Sequence, residues 1–216
     1  MARARYRHII WDWNGTLLDD LDLCVAVMNG LLERRALRLL DRARYHALFD
    51  FPVQRYYERL GFDSVRDPFE KLSVEFISGY ETRRFEARLH HQAAETLASI
   101  RAAGLGQSIL SAYRHETLHE IVAHFGLTAC FDHISGLDNI HAHSKVALGR
   151  ALLDRIAISP AEILLVGDTL HDLEVARDLG VACALVASGH HPRARLWETG
   201  APVYDDLAAF ATAHGF

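Results

Sequence analysis

The stretch IIWDWNGTLLDD, residues 9–20, decides how the whole chain is read. An apolar run suited to a buried strand ends in Asp12, and Asn14, Gly15 and Thr16 follow as a turn. A carboxylate at a strand end, followed by a flexible turn with a hydroxyl, suits a nucleophile aimed at an electrophile. Two positions beyond such an aspartate, a proton donor would assist the leaving group. The amide of Asn14 cannot be one.

Four further runs of the same buried kind follow: QSILSA (107–112), FDHISG (131–136), EILLVGD (162–168) and VACALVA (181–187). With RHIIWDW (7–13) they alternate with helical patterns, RHETLHEIVAHFGL, SKVALGRALLDRIAI and LHDLEVARDLGV, whose apolar residues recur at three and four. Such alternation predicts an α/β fold with a parallel, doubly wound (Rossmann-like) sheet joined by right-handed crossovers. Ligands of these sheets bind beyond the carboxyl ends of the strands.

One connection breaks the rhythm. From Leu17 to Gly106 the patterns are helical, with no convincing strand: DLCVAVMNGLLERRAL, DRARYHALF, PVQRYYERLGF, DPFEKLSVEFISGYETRRF and HHQAAETLASIRAAG. The last returns the chain to the sheet. This leaves an inserted α-helical cap domain over residues 18–86 and a core formed by 1–17 and 87–216. Because the insertion follows the strand that carries Asp12, it is expected to act as a lid, with hinges near Leu18 and Phe85.

Composition narrows the function class. Half of the 216 residues are hydrophobic and the net charge is −5, with no long basic run, which argues against nucleic acid or an anionic membrane as partner. No apolar stretch reaches the ~20 residues of a membrane span, and the opening MARARYRH lacks a signal peptide's apolar region. Cys24, Cys130 and Cys183 are scattered, as expected of free thiols in a reducing cytoplasm. The fourteen histidines include His90–His91 and His190–His191, but no helix-spaced metal motif, so surface or capping roles are expected for most.

The second chemical cluster is LLVGDTLHDLEVA, residues 164–176. Asp168 ends a strand and Asp172 stands four residues on, at a helix start, where both could simply cap the helix. With Asp12 on a neighbouring strand end, three carboxylates converge that would repel one another and raise their pKa values. A hard divalent cation such as Mg²⁺ resolves that repulsion. Ser111 ends the second core strand, where its hydroxyl and the next backbone N–H, that of Ala112, could hold anionic oxygens at a helix start. Lys145, one of two lysines in the chain, opens the helix after GLDNIHAHS and could neutralise phosphoryl oxygens.

Together DWNGT, Ser111, Lys145 and GDTLHD resemble, in that order, the motifs of the haloacid dehalogenase superfamily of hydrolases. The helical insertion, FPVQRYYERLGF and GLDNIHAHSK are similar to the phosphoglycolate phosphatase-like branch, and the likeness covers nearly the whole chain. The resemblance implies a cytoplasmic Mg²⁺-dependent phosphatase of a small phosphorylated metabolite. In it Asp12 forms an aspartyl-phosphate that water hydrolyses. It further implies Mg²⁺ held by Asp12, Asp168 and the backbone carbonyl of Asn14, with Asp172 reached directly or through water. Ser111, Ala112 and Lys145 would hold the phosphoryl group, Thr16 would orient the loop, and His143 would stand beside substrate or phosphate.

Asn14 departs from the pattern, because the family's phosphatases place a second acid there. Such help is worth about 10²–10⁴ in rate. Three readings stay open. One is an active phosphatase that uses a good leaving group or another acid, with Asp19, Asp20 or a cap histidine as candidates. Another is a phosphonoacetaldehyde hydrolase-like enzyme, for which Lys71 lies in the wrong helix. The third is a non-enzymatic relative that binds a phospho-ligand or a protein. GDTLHD speaks against a metal-free dehalogenase. Arg34, Arg35, Arg55, Arg83 and Arg84 in the insertion suggest an anionic substrate group.

Overall fold

The computed structural model describes residues 6–137 and 145–216. Its contacts divide the chain into two compact units, one running to Asp19 and resuming at Leu89, the other formed by Asp20–Arg88.

The first unit is an α/β layer structure. Its strands are β1 (His8–Trp11), β4 (Gly106–Arg114), β5 (His133–Leu137), β6 (Ile163–Gly167), β7 (Ala182–Val186) and β8 (Val203–Tyr204). They form one sheet in the order β5-β4-β1-β6-β7-β8, all parallel. Every residue of β1 and β6 is buried, which is why these strands read as continuous apolar runs rather than as alternation.

The sheet's pleat divides the core into two sides. Ile10, Leu110 and Leu165 join Leu152 of α7 (Lys145–Ile156) and Val175 of α8 (Leu170–Leu179) in one cluster. On the other side Trp11 meets Phe210 of α10 (Leu207–His214) edge-on, ring centroids 5.5 Å apart. Its indole N–H donates to Gln107 Oε1 at 3.1 Å, and Gln107 donates to Leu97 O of α5 (Ala93–Ala102), so no polar atom of the pair is left unsatisfied there.

The second unit holds α1 (Leu21–Glu33), α2 (Arg42–Leu48), α3 (Val53–Leu60) and α4 (Phe69–Arg83). In it Tyr45 stacks on Phe49, and both rings meet Tyr56 edge-on. The Tyr80 hydroxyl donates to Asp20 Oδ2 at 2.8 Å, tying the end of α4 to the start of α1. None of the described helices is long and apolar enough to cross a membrane.

Several short elements escape the sequence patterns. Two-residue strands, β2 (Leu18–Asp19) and β3 (Arg88–Leu89), pair with each other in the stretch expected to hold none. Two residues carry no periodicity, so nothing marks them in sequence. The same applies to β8 and to the single turn α9 (Arg193–Trp197). The helix α10 caps its own start through Asp206, whose side chain accepts the Ala209 N–H.

Leu152 is 1% exposed in the α7–α8 side of the core. Leu152→Ala is expected to destabilise the protein by about 2–5 kcal/mol, measured by urea unfolding, since the cavity adds to the lost burial.

Candidate active site

Parallel register brings the chemistry together. Trp11 lies opposite both Ile109 and Val166, so β1 and β6 end at nearly one level, with Ser111 two residues beyond Ile109 on β4. Asp12 follows β1 directly and is fixed by its own N–H to Val166 O at 2.9 Å. Asp168 follows β6, and Asp172 lies in the first turn of α8. One ligand-capable atom from each of Asp12, Asp168 and Asp172 lies within 4.8 Å of the others, all three buried.

The turn after Asp12 is bonded to itself. Trp13 O accepts the N–H groups of Leu17 and Leu18, and the Gly15 N–H reaches Leu18 O at 2.8 Å. Gly15 takes φ +77, a conformation that favours glycine, and a Cβ there would stand 2.3 Å from Asp168 Oδ2. Thr16, fully buried, donates its hydroxyl to Asp168 Oδ1 at 2.8 Å, so it ties this turn to the acid of β6. His90 sets a ring nitrogen 2.9 Å from Gly15 O and donates its N–H to Leu17 O. Sequence spacing gave no sign of that contact, which joins residues 75 apart.

Lys145 stands at the centre, 5% exposed, with Nζ 2.5 Å from Asp12 Oδ1 and 2.6 Å from Asp172 Oδ1. The remaining oxygen of Asp172 accepts the Asp168 and Thr169 N–H groups and the Thr169 hydroxyl. With Thr169 it forms a capping box at the start of α8. Both oxygens of Asp172 are therefore taken by protein donors. The helix-capping reading of GDTLHD and its place in an acidic site hold at once. Asp12 Oδ2, by contrast, has no protein partner among the described residues.

Ser111 is buried, and its Oγ accepts the Tyr113 N–H at 3.1 Å, which leaves the hydroxyl proton for another acceptor. One expectation needs correction here. β4 continues through Ala112 to Arg114 with a register shift, and α6 (His115–His124) starts only at His115. The N–H groups after Ser111 therefore belong to an irregular strand end and not to a helix's first turn. Residues 138–144, with His143 among them, lie outside the described residues.

The arginines of the insertion are also less available than their number suggests. Arg34 and Arg35 pair with Glu75, Arg35 with Asp67, Arg83 with Glu86, and Arg84 with Glu81. Lys71 is exposed and pairs with Asp67 one turn away.

Burial dominates the electrostatics. It pushes the carboxyl of Asp12 up to about 7; Lys145 opposes the shift, and Asp172 and Asp168 add to it. Burial likewise raises Asp168 to about 6, against the pull of His190. Asp172 is buried too, but Lys145 and the Thr169 hydroxyl outweigh that and hold it below the usual range. Burial would lower Lys145, yet Asp12 and Asp172 keep its ammonium charged. Three buried acids, two of them bonded to Lys145, form a set of hard oxygen donors that a divalent cation fits.

A sequence profile described as haloacid dehalogenase-like hydrolase matches residues 9–186. An N-acetylmuramic acid 6-phosphate phosphatase of Pseudomonas putida is 28% identical over 211 residues, covering 94% of this chain and 92% of that protein. A 5'-nucleotidase of Pseudomonas aeruginosa is 29% identical over 196 residues, covering 87% and 86%. A solved haloacid dehalogenase-like hydrolase from Streptococcus pneumoniae superposes with a TM-score of 0.81 at 17% identity, covering 98% of this chain and 99% of that one.

The raised carboxyls set a pH dependence. Unfolded, Asp12 and Asp168 lose their protons near 3.8; folded, they keep them to about 7 and about 6. Between those values the folded state binds more protons, so these two groups make metal-free stability fall as pH rises from about 4 to 7. The slope is at most about 1.4 kcal/mol per pH unit for each group. Asp172 has the opposite sign, and its contribution is lost below the unfolded value. Thermal unfolding in chelator should show stability dropping from pH 4 to 7, and Asp12→Asn should flatten that drop.

Proposed function

The chain belongs to the haloacid dehalogenase-like hydrolases, and on that premise we propose that it is a Mg²⁺-dependent phosphatase of small phosphate monoesters. The observation that carries this reading is Asp12 itself. One of its oxygens is held by Lys145 and the other has no protein partner among the described residues, at a strand end beside two further buried acids. That is the arrangement of a nucleophile.

The carboxylates of Asp12 and Asp168 and the main-chain carbonyl of Asn14 would hold the cation. Asp172, saturated by Lys145 and the cap of α8, would reach it through water. Bound there, Mg²⁺ would neutralise phosphoryl oxygens and lower the repulsion met by an anionic nucleophile. Asp12 Oδ2 attacks phosphorus, the bond to the leaving oxygen breaks, and an aspartyl-phosphate forms. Water then attacks that phosphorus and releases inorganic phosphate with Asp12 restored. Lys145 keeps the Asp12 carboxylate oriented and partly neutralised, and the Ser111 hydroxyl donates to a phosphoryl oxygen. Thr16 acts on Asp168.

We further propose that Asp20–Arg88 serves as a cap that selects the substrate. The motifs resemble the phosphoglycolate phosphatase-like branch. The relatives named above act on N-acetylmuramic acid 6-phosphate and on a nucleotide, which supports a small phosphorylated metabolite. Three free thiols suit a protein of the cytoplasm.

Asn14 favours one other reading, a relative that binds a phospho-ligand without turning it over. A panel of phosphorylated metabolites and one activated aryl phosphate, assayed with and without Mg²⁺, separates the two. Turnover that needs Mg²⁺ and vanishes in Asp12→Asn is the expected result; no turnover of any ester favours the binding reading. Among esters, rates should fall steeply as leaving-group pKa rises, because Asn14 donates no proton to the departing oxygen. Asn14→Asp should then raise turnover of alkyl phosphates by about 10²–10⁴ and leave the aryl phosphate nearly unchanged.

A further inference from the structure

The loop that leaves β7 carries two histidines, exposed 6% (His190) and 0% (His191), that the reading above leaves without a role. At its first half the backbone closes on Asp168. The His190 N–H donates to Asp168 Oδ2 at 2.7 Å. A Cβ on Gly189 would stand 2.2 Å from that same oxygen and 2.4 Å from Gly15 O, so only glycine admits the approach. With Thr16 on Oδ1, both oxygens of Asp168 are fixed by donors from two different loops.

The second half closes on the start of α8. His191 Nδ1 accepts the N–H of Leu170, the first residue of that helix, at 3.1 Å. The first N–H groups of a helix have no intrahelical partner. Within this turn the cap Thr169 and Asp172 satisfy one another, and His191 supplies the acceptor that Leu170 lacks. A ring that accepts at Nδ1 carries its proton at Nε2 and is neutral, since an imidazolium has no lone pair to offer. The Arg195 guanidinium lies 3.4 Å from Nε2, and since both are donors in this tautomer the approach is not a hydrogen bond.

Leu170 stands midway between Asp168 and Asp172. Three buried acids repel one another, and the backbone that carries two of them must resist splaying. We propose that His191 is a positioning residue of the cation site: its Nδ1 holds the first N–H of α8 and so sets the turn on which Asp168 and Asp172 stand. This rests on the metal reading given above. Partners bonded directly to metal ligands are worth about 10–100-fold in metal affinity, and His191 acts on the backbone between two such acids.

The test uses the full chain without substrate and Mn²⁺ as the probe, with free Mn²⁺ followed by electron paramagnetic resonance. Wild type is compared with His191→Asn, His191→Gln, His191→Leu and Asp168→Asn, and each protein's unfolding temperature is recorded without metal. Asparagine places its amide oxygen where Nδ1 stood, whereas glutamine's amide reaches the place of Nε2. His191→Asn should therefore keep the wild-type dissociation constant within about twofold. Gln and Leu should weaken it by about 10–100-fold, with Asn and Gln unfolding at the same temperature without metal. If Leu fails to fold, the Asn and Gln pair decides alone. Gln binding Mn²⁺ as tightly as wild type, or Asn losing as much as Gln, overturns the proposal while leaving the metal site in place. A wild type that does not bind Mn²⁺, or an Asp168→Asn protein that binds it like wild type, overturns the metal reading, and this proposal with it.

Discussion

The buried ammonium of Lys145, bonded to Asp12 and Asp172 at once, is the contact on which the rest of the site depends. Two carboxylates and one cation removed from water are costly unless every remaining lone pair finds a donor. The fold supplies such donors to Asp172, from the Thr169 hydroxyl and N–H, and to Asp168, from the Thr16 hydroxyl and His190 N–H, but gives none to Asp12 Oδ2 among the described residues. Only the parallel register of β1 and β6 makes this possible, by bringing Asp12 and Asp168 to neighbouring strand ends.

Within that arrangement the acids divide the work. Asp172 is spent on structure: it caps α8 and anchors Lys145, and these bonds depress its pKa. Asp12 keeps an oxygen without a protein partner among the described residues, and burial makes its ionised form unstable without further positive charge. An acid in that condition is a poor structural group. It suits a role in which a cation and a phosphoryl group arrive together.

Asn14 sits in a turn whose backbone bonds close on themselves, from Trp13 O to Leu17 and Leu18 and from Gly15 to Leu18. The carbonyl side of the position needs only that backbone, so a change of side chain from acid to amide leaves the turn intact. On the proposed phosphatase reading, that change bears on proton transfer and so on the range of leaving groups that can depart.

The fold class was legible in the chain because strands buried on both faces cannot hide: IIW and ILLVG admit few other environments. The motifs likewise set Asp12 after the first of those strands and Asp168 after the second, with Asp172 in the helix that follows. Two-residue strands and one-turn helices were not legible, since periodicity needs length to show. Nor were the contacts of His90 with Gly15 and of His191 with Leu170, which join residues 75 and 21 apart. In sequence both histidines belong to polar pairs that read as surface. Whether such a ring is buried depends on which loops the sheet brings to the same edge, and strand order is decided by the packing of the whole sheet. The kind of chemistry was written locally; the division of labour among the acids, and the loop that steadies them, came only with tertiary structure.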